Sequence, residues 1–270
     1  MNKLIFILFF IGGISAGIYF ADAQNLFSVD FESTGTQAIS LNQTQLITQP
    51  LSDPWTIMAW IKLESYDGTD RQIIFYDAES GAGEDSTIQM DIAGSNKAAD
   101  CRFRVNTGTE ASATSEGNAI EVGRWYHIAC QRNGCDVNLF VNGRLRARTT
   151  DGGMSGDINA TNSFVPCIGG LVTASGCAAG TAEIFDGRID ELSFWRRALT
   201  ENEIQARMRQ ELNAGATTTV TQGLEAYFKF DSDILSDSVG RTIQLAPTLV
   251  GTPTSSTTDT GWKQFDPDEL

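Results

Sequence analysis

One histidine, His127, stands among the 270 residues. A lone imidazole excludes a multi-histidine metal centre and leaves any Ser- or Cys-nucleophile mechanism a single candidate base. Basic residues are scarce as well: 19 Lys+Arg face 34 Asp+Glu, for a formal net charge of −15 at pH 7. Nucleic acid and anionic membrane surfaces both demand a cationic footprint, so neither is an expected partner. Charged residues still amount to only 20%, too few for a disordered acidic tail. Beyond the N-terminus no apolar run is long enough to span a bilayer. No C-x2-C pair and no G-x-S-x-G occurs, so zinc and an esterase-type nucleophile are poor readings.

What is present points to export. Residues 1–23 read as a secretory signal, in which Lys3 gives a basic start and Leu4 to Ile11 is wholly apolar. Ala21-Asp22-Ala23 offers a small-residue cleavage site, and cleavage there leaves a secreted chain with no membrane span. Five cysteines, at 101, 130, 135, 167 and 177, then lie in a compartment that permits disulfides. Cys130 and Cys135 flank Gln131-Arg132-Asn133-Gly134, a hairpin loop across which they are candidate partners. Cys167 and Cys177 bracket another short segment and form the second candidate pair. The odd count leaves at least one thiol free or paired to another chain.

Glycine numbers 26, and short segments of alternating apolar and polar residues follow one another along the chain. They fall at 27–32, 37–41, 55–63, 72–76, 87–92, 101–105, 125–130, 136–141, 144–149, 165–168, 182–185, 189–195 and 224–230. Asn133-Gly134 and Asn142-Gly143 mark tight hairpins. Period two with frequent turns specifies an all-β antiparallel sandwich. One capping helix is expected near 200–213: Thr200 and Glu203 form a capping box, and Ile204, Met208 and Leu212 make an apolar stripe. Trp55 and Trp60 have opposite parity on one strand, and Trp60, on the face of Met58, is the expected core residue. Residues 231–270 form a C-terminal extension, with room for one strand around 243–249 and a Thr/Ser-rich tail.

Several segments in order resemble the LamG-like jelly roll of the concanavalin A-like lectin/glucanase superfamily. They are Val29-Asp30-Phe31-Glu32, Trp55 to Lys62, Gly123 to Ala129, Val137 to Gly143, Ile168-Gly169-Gly170, Phe185 to Trp195 with its Ile189-Asp190-Glu191-Leu192, Arg197 to Ile204, and Gly223 to Asp231. The resemblance implies a two-sheet jelly-roll domain over 24–230. It also implies a Ca2+ held between an acid of the first strand and the Asp of the Ile-Asp-Glu motif, which points to Asp190 and Glu32. Asp30 shares a strand face with Glu32 and is the substitute ligand. The family more often has Phe-Asp-Gly where this chain has Phe31-Glu32-Ser33. Glucanases of the superfamily share an E-x-D-x-x-E strand, which this chain lacks. Its nearest approaches, Asp190-Glu191 and Glu183 with Asp186, put their carboxylates on opposite strand faces. The resemblance therefore implies a non-catalytic recognition module for glycan or glycoprotein, with no catalytic residue assigned. The alternative is an extracellular assembly subunit that binds copies of itself, and a glycan hydrolase or lyase ranks third.

Overall fold

The computed structural model describes residues 27–32, 37–41, 54–78, 86–105, 108–156, 158, 165–173, 176–178, 183–212, 219–231 and 248–256. The signal segment, Ile243 and Leu245 lie outside the described residues. In chain order the strands are β1 (Ser28–Phe31), β2 (Ala38–Ser40), β3 (Trp55–Leu63), β4 (Gln72–Ala78), β5 (Ser86–Ile92), β6 (Ala99–Arg104), β7 (Glu110–Thr114), β8 (Trp125–Asn133) and β9 (Asp136–Val141). They continue with β10 (Arg144–Thr150), β11 (Cys167–Ile168), β12 (Leu171–Thr173), β13 (Gly176–Ala178), β14 (Gly187–Trp195), β15 (Leu224–Phe228), β16 (Thr248–Val250) and β17 (Thr254–Ser256). Helix α1 (Glu201–Arg207) lies between β14 and β15.

Two antiparallel sheets make the sandwich. One runs β10-β9-β8-β3-β14-β1-β17, with β15 also on β14, and the other runs β16-β2-β11-β4-β5-β6-β7. Alternation along each strand sends one set of side chains inward. Ile57, Ala59 and Ile61 of β3 and Ile128 of β8 meet Ile88, Met90 and Ile92 of β5 and Phe103 of β6 in one buried cluster. Burying each such large side chain is worth roughly 1.5–3 kcal/mol, so this layer dominates stability.

Trp55 sits in that core and Trp60 does not, the reverse of the expected sides. Parity holds, but both faces of β3 are buried. On the outer face Trp60 packs with Trp125 and Met208, beside a second apolar layer that includes Met58, Trp195, Ile204 and Tyr227. Helix α1 covers this layer. Its capping box is formed, with the Thr200 amide donating to Glu203 Oε2 at 2.9 Å and Thr200 Oγ1 accepting the Glu203 amide at 3.3 Å. The helix ends at Arg207, short of 213, and the Met208 carbonyl and Leu212 amide, which a longer helix would join, have other partners. The Met208 carbonyl accepts the Trp60 indole N–H at 2.9 Å, and the Leu212 amide donates to the Tyr227 hydroxyl at 3.2 Å.

The expected strand at 182–185 does not form at Glu183–Phe185, where Glu183 turns through φ 62°. Conversely, β7 and β17 arise where apolar alternation is thin. The C-terminal segment edges both sheets: β16 pairs with β2 and β17 with β1. Among the described residues, no helix is long and apolar enough to cross a membrane.

The disulfides correct one pairing. Cys130 is bonded to Cys101, and Cys135 is free. In the β8–β9 register Cys130 lies opposite Leu139, facing the core, while Gly134 and Cys135 make the turn itself. Cys130 therefore points across the core at β6, not along its own hairpin. Cys167 and Cys177 do pair, and fix the β12–β13 hairpin over β2 and β4.

Candidate functional site

At one end of the sandwich β1, β3 and β5 finish while β4, β6, β8 and β14 begin. Backbone bonds tie the loops of the two sheets together there: the Gly123 amide donates to the Leu63 carbonyl at 2.7 Å, and the Ile120 amide to Lys97 at 3.2 Å. The Asp186 amide donates to Gln72 Oε1 at 2.6 Å.

This end gathers acids. Asp30, Glu32 and Glu64 each bring a carboxylate oxygen within 4.8 Å of the others. Arg188 stands opposite Asp30 on one side and Lys62 on the other, so its guanidinium lies among them. Its Nε is 2.9 Å from Glu64 Oε1 and 3.6 Å from Asp30 Oδ2. The β14 chain enters through Gly187, where a Cβ would collide with the Lys62 carbonyl. Asp186, just before it, accepts the Ser65 hydroxyl. Negative charge outweighs the one guanidinium. Burial, then Glu64, raises the pKa of Asp30 to about 6 against the pull of Arg188. Asp30 Oδ1 is buried and has no hydrogen-bond partner among the described residues. A spare carboxylate oxygen in an unbalanced cluster of hard oxygen donors suits a divalent cation such as Ca2+.

Of the predicted ligands, the structure thus brings Asp30 and Glu32 together and leaves Asp190 out. Asp190 lies opposite Trp60, is fully buried, and accepts the Glu191 amide at 2.9 Å through its own Oδ1. The cause is register: β14 presents Arg188, not Asp190, to Asp30. Glu64, passed over in the sequence, takes the third position. Its only signal was its place just after the apolar β3 run.

A second polar cluster, largely buried, lies on the outward side of the other sheet. Since Ile88, Met90 and Ile92 face the core, Gln89 and Asp91 face out, joined by Asp100 and Arg102 of β6 and Thr114 of β7. Asp91 and Asp100 are direct cross-strand partners. Gln89 Nε2 donates to Asp91 Oδ2 at 2.7 Å, Arg71 Nε lies 3.9 Å away, and Asp91 Oδ1 has no partner. Burial, then the facing Asp100, pushes the Asp91 pKa up to about 7. Arg102 sits between Asp100 at 3.9 Å and Glu110 at 3.3 Å. Tyr76 is buried beside Gln89, and burial raises its pKa to about 12. Tyr76, Gln89, Asp91 and Asp100 are buried, and the donors and acceptors that this face offers a polyhydroxyl ligand are Arg102, Glu110 and Thr114.

The lone histidine is elsewhere. His127 lines a cavity of about 10 Å³ beneath α1, with Trp60, Glu191, Ser193, Arg207 and Tyr227 on its walls. Its Nδ1 is buried without a hydrogen-bond partner, and burial lowers its pKa to about 3. Tyr227 donates its hydroxyl to Glu191, which is held at φ 52°. A space of that size takes one water, not a substrate, so His127 is a buried neutral side chain.

A two-sheet antiparallel sandwich with a capped helix on one outer face defines a lectin-like jelly roll. A family model described as the concanavalin A-like lectin/glucanases superfamily matches residues 33–205, and the chain belongs to that superfamily. No curated protein matches it. Among solved structures it is similar to a proposed carbohydrate-binding protein from Bacteroides ovatus, at TM-score 0.63 and 19% identity, covering 87% of this chain and 61% of that one. It is similar to the native heptameric SAP-like pentraxin from Limulus polyphemus, at TM-score 0.58 and 16% identity, over 88% of this chain and 97% of the pentraxin. The CBM40 of the Ruminococcus gnavus IT-sialidase, bound to α2,3 sialyllactose, gives TM-score 0.50 and 15% identity, over 66% of this chain and 95% of the module. At these identities the likeness is one of fold.

Proposed function

We propose that this chain is a secreted, non-catalytic module that binds glycan, with Ca2+ held by Asp30, Glu32 and Glu64. The observation that carries the glycan reading is the outward face of β6–β7, where Arg102, Glu110 and Thr114 reach solvent above the buried Gln89 and Asp100. The Ruminococcus gnavus domain carries sialyllactose on the same fold, which supports that reading. Binding without turnover is supported by the burial of Asp91. Its pKa is raised as a general acid requires, but it is fully enclosed and out of reach of a glycosidic bond. Export is supported by the apolar N-terminal segment and by two disulfides. Of the C-terminal extension, the described strands β16 and β17 pair within the chain, on β2 and β1.

The cation would be the hard-oxygen type: three carboxylates offer ligands, and Asp30 Oδ1 has no competing hydrogen bond. Bound there, it would lock β1 to the loop after β3. The test is retention on a panel of immobilised polysaccharides, with the eluate assayed for released reducing ends. Retention with no released sugar is expected. Steady release of reducing ends from any polysaccharide would overturn the non-catalytic reading.

A further inference from the structure

Strand β10 reads Arg144-Leu145-Arg146-Ala147-Arg148, which places three of the chain's 19 basic residues within five positions of a protein at −15. Among the described residues it is the outer strand of its sheet and pairs only with β9, and all three arginines are exposed. A register shift between Leu145 and Ala147 turns Arg146 out of the ladder. Arg144 shares the side of Val141 and Arg148 that of Asn138, so the arginines flank both sides of an edge about 13 Å long at ~3.3 Å per residue. Arg146 pairs with Glu116 at 3.9 Å and Arg148 with Asp136 at 4.0 Å, long exposed ion pairs that contribute little and that a polyanion can displace. Among the described residues Arg144 has no acidic partner.

Charge and a bulge on an edge strand also guard against pairing with other sheets, and that role needs no ordered side chain. Arg148 is ordered. Its Nε donates to Asn138 Oδ1 at 2.7 Å, Asn138 Nδ2 donates to Gln131 Oε1 at 3.0 Å, and Gln131 Nε2 donates to the Leu199 carbonyl at 2.7 Å. Asn138 and Gln131 are both buried. A buried amide relay thus fixes the guanidinium at Nε and leaves its terminal nitrogens for a ligand. A planar fork held in this way is preorganised for carboxylate or sulfate. The edge also lies against the other sheet, for Thr149 Oγ1 donates to the Ser112 carbonyl of β7 at 2.6 Å.

We propose that β10 is a docking edge for an anionic polysaccharide, whose uronate or sulfate groups pair with Arg144, Arg146 and Arg148. This rests on the glycan-binding reading and extends it to a ligand class and a place. The strongly negative remainder of the surface repels a polyanion and steers it to this edge.

The test titrates the full chain with alginate, dextran sulfate and neutral dextran at low salt, alongside Arg144→Ala/Arg148→Ala and, as a charge control, Arg124→Ala. All three positions are exposed, and matched melting curves will show that the variants fold. At least one polyanion is expected to bind more tightly than dextran, to weaken tenfold or more in the double variant, and to be unchanged in the control. Preference for alginate assigns a uronate ligand, and preference for dextran sulfate a sulfated one. Polyanion binding that the double variant leaves intact overturns the inference, as does its absence in a protein that binds neutral glycans, and in both cases the lectin reading stands. Failure to bind any glycan overturns both.

Discussion

Cys130 on β8 reaches across the core to Cys101 on β6, with 5.3 Å between their Cα atoms, and so ties the two sheets together. The link closes 29 residues of sequence. Chain-entropy reasoning puts its effect at about 3–4 kcal/mol through the unfolded state. Cys101→Ala/Cys130→Ala should therefore lower the urea midpoint substantially, whereas Cys135→Ala should leave it within error. Equal effects would mean that the covalent pairing is different.

The acidic cluster predicts a calcium-dependent rise in melting temperature that Asp30→Asn or Glu64→Gln abolishes. Asp190→Asn, whose residue lies outside the cluster, should keep the calcium increment. Ligand carboxylates must be ionised, and Asp30 has a pKa of about 6, so the increment should shrink as pH falls through about 6. Differential scanning fluorimetry at pH 5 and 7.5, in calcium and in chelator, reads both points. A calcium increment lost in Asp190→Asn but kept in Glu64→Gln would reverse the assignment.

His127 makes a signed pH prediction. Its folded pKa, about 3, lies below the ordinary 6.5, so the unfolded chain binds the proton first. The stability this contributes is complete above pH 6.5 and is lost as pH falls toward 3. His127→Leu should remove a slope of up to about 1.4 kcal/mol per pH unit between pH 6 and 4. Parallel stability curves for the variant and the parent would show that His127 is solvated.

Asp91 acts in the opposite direction. Its carboxyl is raised from 3.8 to about 7, so the folded protein holds a proton that the unfolded chain releases. Stability should therefore decline as pH rises from about 4 to about 7. Asp91→Asn, neutral throughout, should gain on the parent at pH 8 compared with pH 5 in urea melts. No change in that difference would place the carboxylate in contact with water.

Local pattern carried much of the fold. Alternation marked most strands, Asn133-Gly134 fell at the end of β8, and the Thr200–Glu203 box is formed, because each depends on a few adjacent residues. What the sequence hid depends on contacts between strands. The sides of Trp55 and Trp60 turn on a second apolar layer beneath α1, which parity along one strand cannot reveal. Cys101 as partner of Cys130, Glu64 beside Asp30, and Asp91 facing Asp100 all follow from register or from sheet-on-sheet packing. Strand β17 forms from a Thr/Ser-rich stretch because an edge position needs backbone pairing more than apolar side chains.

The central claim is glycan recognition on this jelly roll. Its most direct test is a glycan microarray probed with the labelled full chain, once in calcium and once in chelator. The account predicts binding to a restricted set of glycans that weakens when calcium is removed. Bare arrays in both conditions, with protein that melts cooperatively, would contradict it.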